Sequence, residues 1–269
     1  MGTKRKRYTF RQGEIIDVEE FHDGSYGAPG EKREKREKPT KEQMQKVNAM
    51  QKAKRCRQRL LEYFTPGDCF ATLTYEPRNR PPNMDTAKEH FRKFIRQIRA
   101  EYKKQNYEVF WIRNIERGTK GAWHIHLVIN EIGDTASIIR RAWPHGGVYL
   151  SEIRLNDKIY DEDFTKLANY ITKDENTRYQ KADGSEAKPR IKETSYSISR
   201  NMPLPEPKVD HLLRWRKEPL AKKRYYIVNL VEGINPVTGY SYRRYTMMRL
   251  HKGGDTDAVR DHKHRRKRQ

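Results

Sequence analysis

Trp123-His124-Ile125-His126-Leu127-Val128-Ile129 is the stretch on which the fold turns. Side chains of a strand alternate between two faces. Trp123, Ile125, Leu127 and Ile129 therefore share an apolar face, and His124 and His126 share the other. Two imidazoles one residue apart on a strand stand about 6–7 Å from each other, within reach of one divalent ion. The stretch thus predicts a sheet with one buried face and one face free for chemistry.

The reading extends outward on both sides. Residues 108–116 form a second β-rich run, and Arg117-Gly-Thr-Lys-Gly121 is a hairpin turn between the two strands. The turn brings Glu116 back beside the histidines, where its carboxylate can complete a His124, His126, Glu116 set. Mixed nitrogen and oxygen donors with open positions suit Mg²⁺ or Mn²⁺ and leave room for phosphate oxygens and water. A solvated hairpin end is the alternative for Glu116, and Phe110 and Ile112 share its face.

Upstream, Phe70 to Tyr75 is a β-branched and aromatic strand, followed by a proline-rich loop. Phe91, Phe94, Ile95 and Ile98 then fall at i, i+3, i+4 and i+7, which predicts a helix capped by Asp85 and running to about Lys104. Downstream come a short helix from Asp134 to Ala142, a strand over 148–155 and a helix over 161–175. The order strand–helix–strand–strand–helix–strand predicts an α+β protein with a ferredoxin-like antiparallel sheet. Thr40 and Gln43 have capping-box spacing at the start of a basic helix over 41–63. Residues 225–231 and 240–250 read as two further strands.

Three segments follow: a charged, loosely ordered 1–39, a core over 40–180, and a basic extension over 181–269. The 269 residues carry 58 Lys and Arg against 36 Asp and Glu, a formal charge of +22. Mean hydropathy is −1.13. So basic a chain points to nucleic acid as partner. Cys56 and Cys69 lack metal-ligand spacing and suit a reducing compartment. There is no apolar run of membrane-spanning length, no secretory h-region and no P-loop, so an ATP-driven motor is excluded.

On the 161–175 helix, Tyr170, Lys173 and Lys166 form a stripe beside the apolar face, and Tyr170 and Lys173 lie one turn apart. A phenol titrates near pH 10 and needs help to act as a nucleophile, which a neighbouring ammonium supplies. A boundary tyrosine with a snorkelling lysine is the alternative.

In order along the chain, Phe70–Tyr75, His124-Ile125-His126 and Tyr170-Ile-Thr-Lys173 resemble the motifs of the HUH endonuclease superfamily. The likeness is greatest to the single-tyrosine rolling-circle replication initiators of plasmids, phages and integrative elements. It covers roughly 65–180. It implies Tyr170 as nucleophile, Lys173 as its helper, and His124, His126 and Glu116 as metal ligands. It also implies nicking and rejoining of single-stranded origin DNA through a 5′-phosphotyrosine, with a host helicase and polymerase, in the cytoplasm of a bacterial cell. Arg140, Arg141, Lys166 and the basic runs would carry the DNA backbone. Trp143, Tyr149 or Trp123 would stack on bases, with a place in the core as the favoured alternative for Trp123. Tyr160 and Tyr179 rank behind Tyr170. The competing readings are a relaxase, a transposase, or a non-catalytic basic nucleic-acid-binding protein. Relaxases generally use three histidines and an N-terminal tyrosine. A simple binding module leaves the order of His124, His126 and Tyr170 without a reason.

Overall fold

The computed structural model describes residues 3–22, 40–154, 162–177, 185, 187–188, 190–212, 215–234 and 240–250. In chain order its elements are β1 (Thr3–Phe10), β2 (Ile15–His22), α1 (Lys41–Tyr63), β3 (Cys69–Thr74), α2 (Met84–Lys104), β4 (Trp111–Gly118), β5 (Trp123–Ile129), α3 (Thr135–Ala142), β6 (Val148–Glu152), α4 (Thr165–Ile171), β7 (Ile191–Ile198), β8 (Lys208–Leu212), β9 (Tyr225–Ile234) and β10 (Ser241–Arg249). The class is α+β, with two five-stranded antiparallel sheets. Two compact units divide the chain: one is drawn from Met1–Gln51 and Leu204–Asp255, the other from Lys52–Pro203. No helix among the described residues is long and apolar enough to cross a membrane.

The sheet of the second unit runs β6-β3-β5-β4-β7. Its first four strands have the interleaved order that the strand–helix–strand–strand–helix–strand pattern predicts for a ferredoxin-like sheet. The boundary at 180 needs correction. β7, which sequence places in the C-terminal extension, pairs with β4 from Ile112↔Ile198 to Gly118↔Ile191. Its run of Ser, Thr and charged residues hides it from a hydrophobicity pattern, because an edge strand need bury little.

Alternation sorts the sheet as expected. Leu73, Trp111, Ile115, Trp123, Ile125 and Leu127 pack in one buried cluster with Phe91, Phe94, Ile95 and Ile98 of α2 and with Ile138 and Ile139 of α3. Helix α2 starts two residues before Asp85 predicts: the Asn83 side chain accepts from the Thr86 amide at 3.0 Å and is the cap. Thr40 and Gln43 do form the reciprocal capping box, with bonds of 2.9 and 3.1 Å. On the other face of the sheet lie Tyr63, whose ring meets Phe110 at 5.0 Å, and α4, whose Tyr170 reaches Phe70 at 5.9 Å.

Helix α4 is shorter than predicted. Phe164 adopts a left-handed φ of 58°, which a helix cannot continue through, and α4 begins only at Thr165. Asp163 anchors that start. Its Oδ1 accepts from the Thr165 amide at 3.1 Å, and its Oδ2 accepts from the Thr165 hydroxyl at 2.8 Å and meets Arg57 at 3.2 Å. Both members of this ion pair are buried.

In the first unit, the order is β8-β1-β2-β10-β9. The loosely ordered segment expected over 1–39 is therefore corrected for 3–22, which forms a paired hairpin. Its charges are partnered across strands: Lys6 faces Glu19, Arg5 faces Glu20 and reaches Asp210 at 3.2 Å, and Glu20 also holds the buried Arg243 at 2.6 Å. Ile16, Val18, Tyr245 and Met247 form its small core. Residues 23–39, Tyr160, Tyr179 and the basic tail lie outside the described residues. Cys56 and Cys69 are free, buried thiols.

Candidate active site

β5 is the centre strand of its sheet, and its register decides what surrounds the histidines. His124 stands opposite Thr74 on β3 and Glu116 on β4. His126 stands opposite Thr72 and Asn114. The rings of His124 and His126 lie 6.4 Å apart and 17° from parallel, the separation strand geometry predicts. His126 Nε2 is 3.5 Å from Glu116 Oε2. Thr72 Oγ1 lies 3.2 Å from His126 Nδ1. A hydroxyl can accept from Nδ1–H or donate to a bare Nδ1, so this contact orients the ring in either tautomer.

α4 and the turn after it bring Tyr170 and Lys173 to the same place. The Tyr170 ring meets His126 at 5.2 Å, edge to face. The Lys173 ammonium sits 3.9 Å above the centre of the Tyr170 ring and 3.3 Å from Glu116 Oε2. Asn114, wholly buried, ties the two segments together. Its Nδ2 donates to Glu116 Oε1 at 3.2 Å and to the main-chain carbonyl of Lys173 at 2.9 Å. Strand and helix thus hold each other through three adjacent contacts.

The electrostatics of the cluster oppose ionisation of Tyr170. Burial pushes the Tyr170 hydroxyl above its ordinary value, and the Glu116 charge adds to the shift. Burial, then the neighbouring His126, lowers His124 and keeps it neutral, the form that ligates. Any cation that neutralises Glu116 removes its contribution to raising Tyr170.

The metal set divides in two. Glu116 and His126 are in contact, while His124 shares their face two residues away along β5, opposite Glu116 in register. Among the described residues no three His, Cys, Asp or Glu side chains are close enough to hold an ion as they stand. The donors nevertheless fit Mg²⁺ or Mn²⁺ in kind: one carboxylate, two imidazoles, and Asn114 Oδ1, a buried oxygen without a hydrogen-bond partner.

The remaining predicted residues part company. Lys166 is exposed on α4. Arg140 and Arg141 are exposed on α3, which packs on the face of the sheet away from His124 and His126, so they do not converge on Tyr170. Trp143 is corrected: it is 4% exposed, packs in the core and donates its Nε1–H to the Thr74 carbonyl at 2.9 Å, so it offers no face to a base. Tyr149 is exposed and Trp123 is core. Sequence reading missed Phe70, Thr72 and Asn114. Carrying the two-residue period of His124 and His126 onto the neighbouring strands would have found all three.

Residues 68–175 match the family model of replication-associated protein ORF2/G2P, about two-fifths of the chain. The matched stretch contains every residue of the cluster around Tyr170. It supports a role in DNA replication and an interaction with DNA. No curated protein and no solved structure matches the chain.

Proposed function

We propose that this chain is a rolling-circle replication initiator that cuts and rejoins single-stranded origin DNA, with Tyr170 as the nucleophile. The observation that carries this is the meeting of Tyr170 and Lys173 with His126 and Glu116, residues drawn from three separate segments onto one face of one sheet.

In this reading the Tyr170 oxygen attacks the scissile phosphorus. An O–P bond to tyrosine forms, the bond to the 3′-oxygen breaks, the phenol proton leaves and the 3′-oxygen gains one. The ester keeps the bond energy, so the reverse step rejoins ends without ATP, in keeping with the lack of a P-loop. Lys173 holds a positive charge over the ring, where it favours the phenolate. Asn114 fixes Lys173 and Glu116 relative to each other, and Thr72 orients His126. Glu116, His126 and His124 would hold Mg²⁺ or Mn²⁺, which when bound supplies charge neutralisation at the phosphate. The resulting 3′-hydroxyl would prime a host polymerase, and a host helicase would open the duplex.

A labelled oligonucleotide library spanning origin sequences tests this on denaturing gels. Wild type gives a covalent protein–DNA adduct with Mg²⁺ or Mn²⁺, and Tyr170→Phe gives none. An adduct from Tyr170→Phe, or none from wild type across the library, sinks the assignment.

A further inference from the structure

The alternation of β4 that aims Asn114 and Glu116 at the candidate active site aims Trp111 and Arg113 at the opposite face, beneath α2. There a cavity of about 290 Å³ opens between α2 and the β4–β7 edge. Arg113 and Trp111 line it, each 7% exposed. Arg113 gives one nitrogen to the Ser195 carbonyl and hydroxyl. Its Nε–H, and the Nε1–H of Trp111, are buried donors without a partner. Buried donors left unpaired are costly, and both of these belong to residues that line this cavity.

Charge gives the sign of that acceptor. Lys88, Arg92 and Arg99 of α2 line the same cavity. Arg113 has no carboxylate partner among the described residues, and burial, then the nearby Arg92, push its guanidinium down to about 10. A second cavity of about 330 Å³ adjoins through Arg99 and adds Lys103 and Arg200. The few acidic contacts are Asp85 on Lys88 and Glu89 on Arg92, both exposed pairs of little strength.

We propose that this groove binds the sugar–phosphate backbone of a nucleic-acid strand, on the face of the sheet opposite Tyr170. Shape favours a linear polyanion over a single phosphate. Lys88, Arg92, Arg99 and Lys103 spread along one side of α2 over roughly 22 Å at 1.5 Å per residue. That length matches about six phosphates of one duplex strand at 3.4 Å each. The groove does not depend on the Tyr170 chemistry. It would let the protein grip flanking DNA without occupying the cutting face.

The test is fluorescence anisotropy of a labelled oligonucleotide with the full chain in EDTA, at a series of salt concentrations. Arg92→Gln/Arg99→Gln empties the groove of two charges. Lys93→Gln/Lys104→Gln removes the same charge from exposed positions on the same helix, turned away from that side and outside the groove. The groove pair should lower the slope of log K against log salt by about 1.4–1.8, and the control pair by less than half as much. Equal changes, or no change in the groove pair, overturn the proposal. So does binding of inorganic phosphate alone that vanishes in the groove pair while the oligonucleotide slope stays put, since that assigns the groove to a free phosphate.

Discussion

Replacing Arg57 with methionine should unfold the second unit well before wild type, and replacing its partner as well should undo most of the damage. Arg57 is 1% exposed and Asp163 is 3% exposed, and their nearest atoms are 3.2 Å apart. At an effective dielectric of about 20 their attraction is about 5 kcal/mol. Removing one partner of such a pair strands the other charge in the interior and costs about 3–5 kcal/mol. For a unit of this size each kcal/mol lowers the melting temperature by about 2–4 °C, so Arg57→Met should melt roughly 6–20 °C lower. Asp163→Asn alone should cost a similar amount, because it leaves Arg57 charged. The asparagine oxygen can still accept from the Thr165 amide, so the start of α4 keeps that bond while the charge is lost. The double variant Arg57→Met/Asp163→Asn has no stranded charge and should recover most of the loss. Thermal unfolding followed by circular dichroism measures all four proteins. If the double variant is as unstable as the sum of the singles, or if Arg57→Met costs under about 1 kcal/mol, the two groups are not coupled and the reasoning fails.

Three further outcomes are expected. On the proposed assignment of Glu116, His124 and His126 as ligands, Lys173→Met removes a cation 3.3 Å from Glu116 and should tighten Mn²⁺ binding about tenfold by calorimetry; unchanged or weaker binding counts against Glu116 as a ligand. His90 and His145 stack at 3.9 Å, and burial holds both below their ordinary value near 6.5, helped by Lys93 and, for His145, by His90. The unfolded chain therefore binds protons more readily, so stability present above about pH 6.5 is lost as pH falls through the lower folded-state values, and His90→Gln/His145→Gln should flatten that part of a melting-temperature profile. A methyl group at Gly146 would sit 2.5 Å from the Thr74 carbonyl oxygen and 2.7 Å from the Glu76 nitrogen, both backbone atoms; Gly146→Ala should cost about 1–3 kcal/mol in urea unfolding, and a neutral result would mean the loop yields freely.

Much of the second unit was legible because its signals are local and periodic. The two-residue period of β5 and the 3–4-residue period of α2 report on burial, and burial is what a regular element needs. The histidine face followed directly. What escaped depends on partners distant in sequence. Lys4 to Arg7 look like a solvated run until Glu19, Glu20 and Asp210 stand opposite them. Ser195 and Ser197 look like loop until β4 offers an edge. Trp143 could have served either a core or a base, and only the packing of Tyr75 and Phe94 around it decides. Asn114 was passed over because an amide on a strand carries no motif of its own. Its importance comes from touching Glu116 and Lys173 at once.

The first sheet has a consequence for synthesis. β2 needs β10 as its neighbour, from Tyr242↔Phe21 to Met248↔Ile15, and more than two hundred residues separate the two strands. At about 5–20 residues per second a ribosome takes roughly 10–45 s to deliver β10 after β2 has emerged. Throughout that wait Ile16 and Val18 lack the partners Tyr245 and Met247, and the edge of β2 is open to any other strand. The dense charge of the hairpin, Lys4 to Arg7 on β1 against Asp17, Glu19 and Glu20 on β2, then serves the nascent chain. It makes a waiting hairpin a poor template for aggregation until its own last strand arrives.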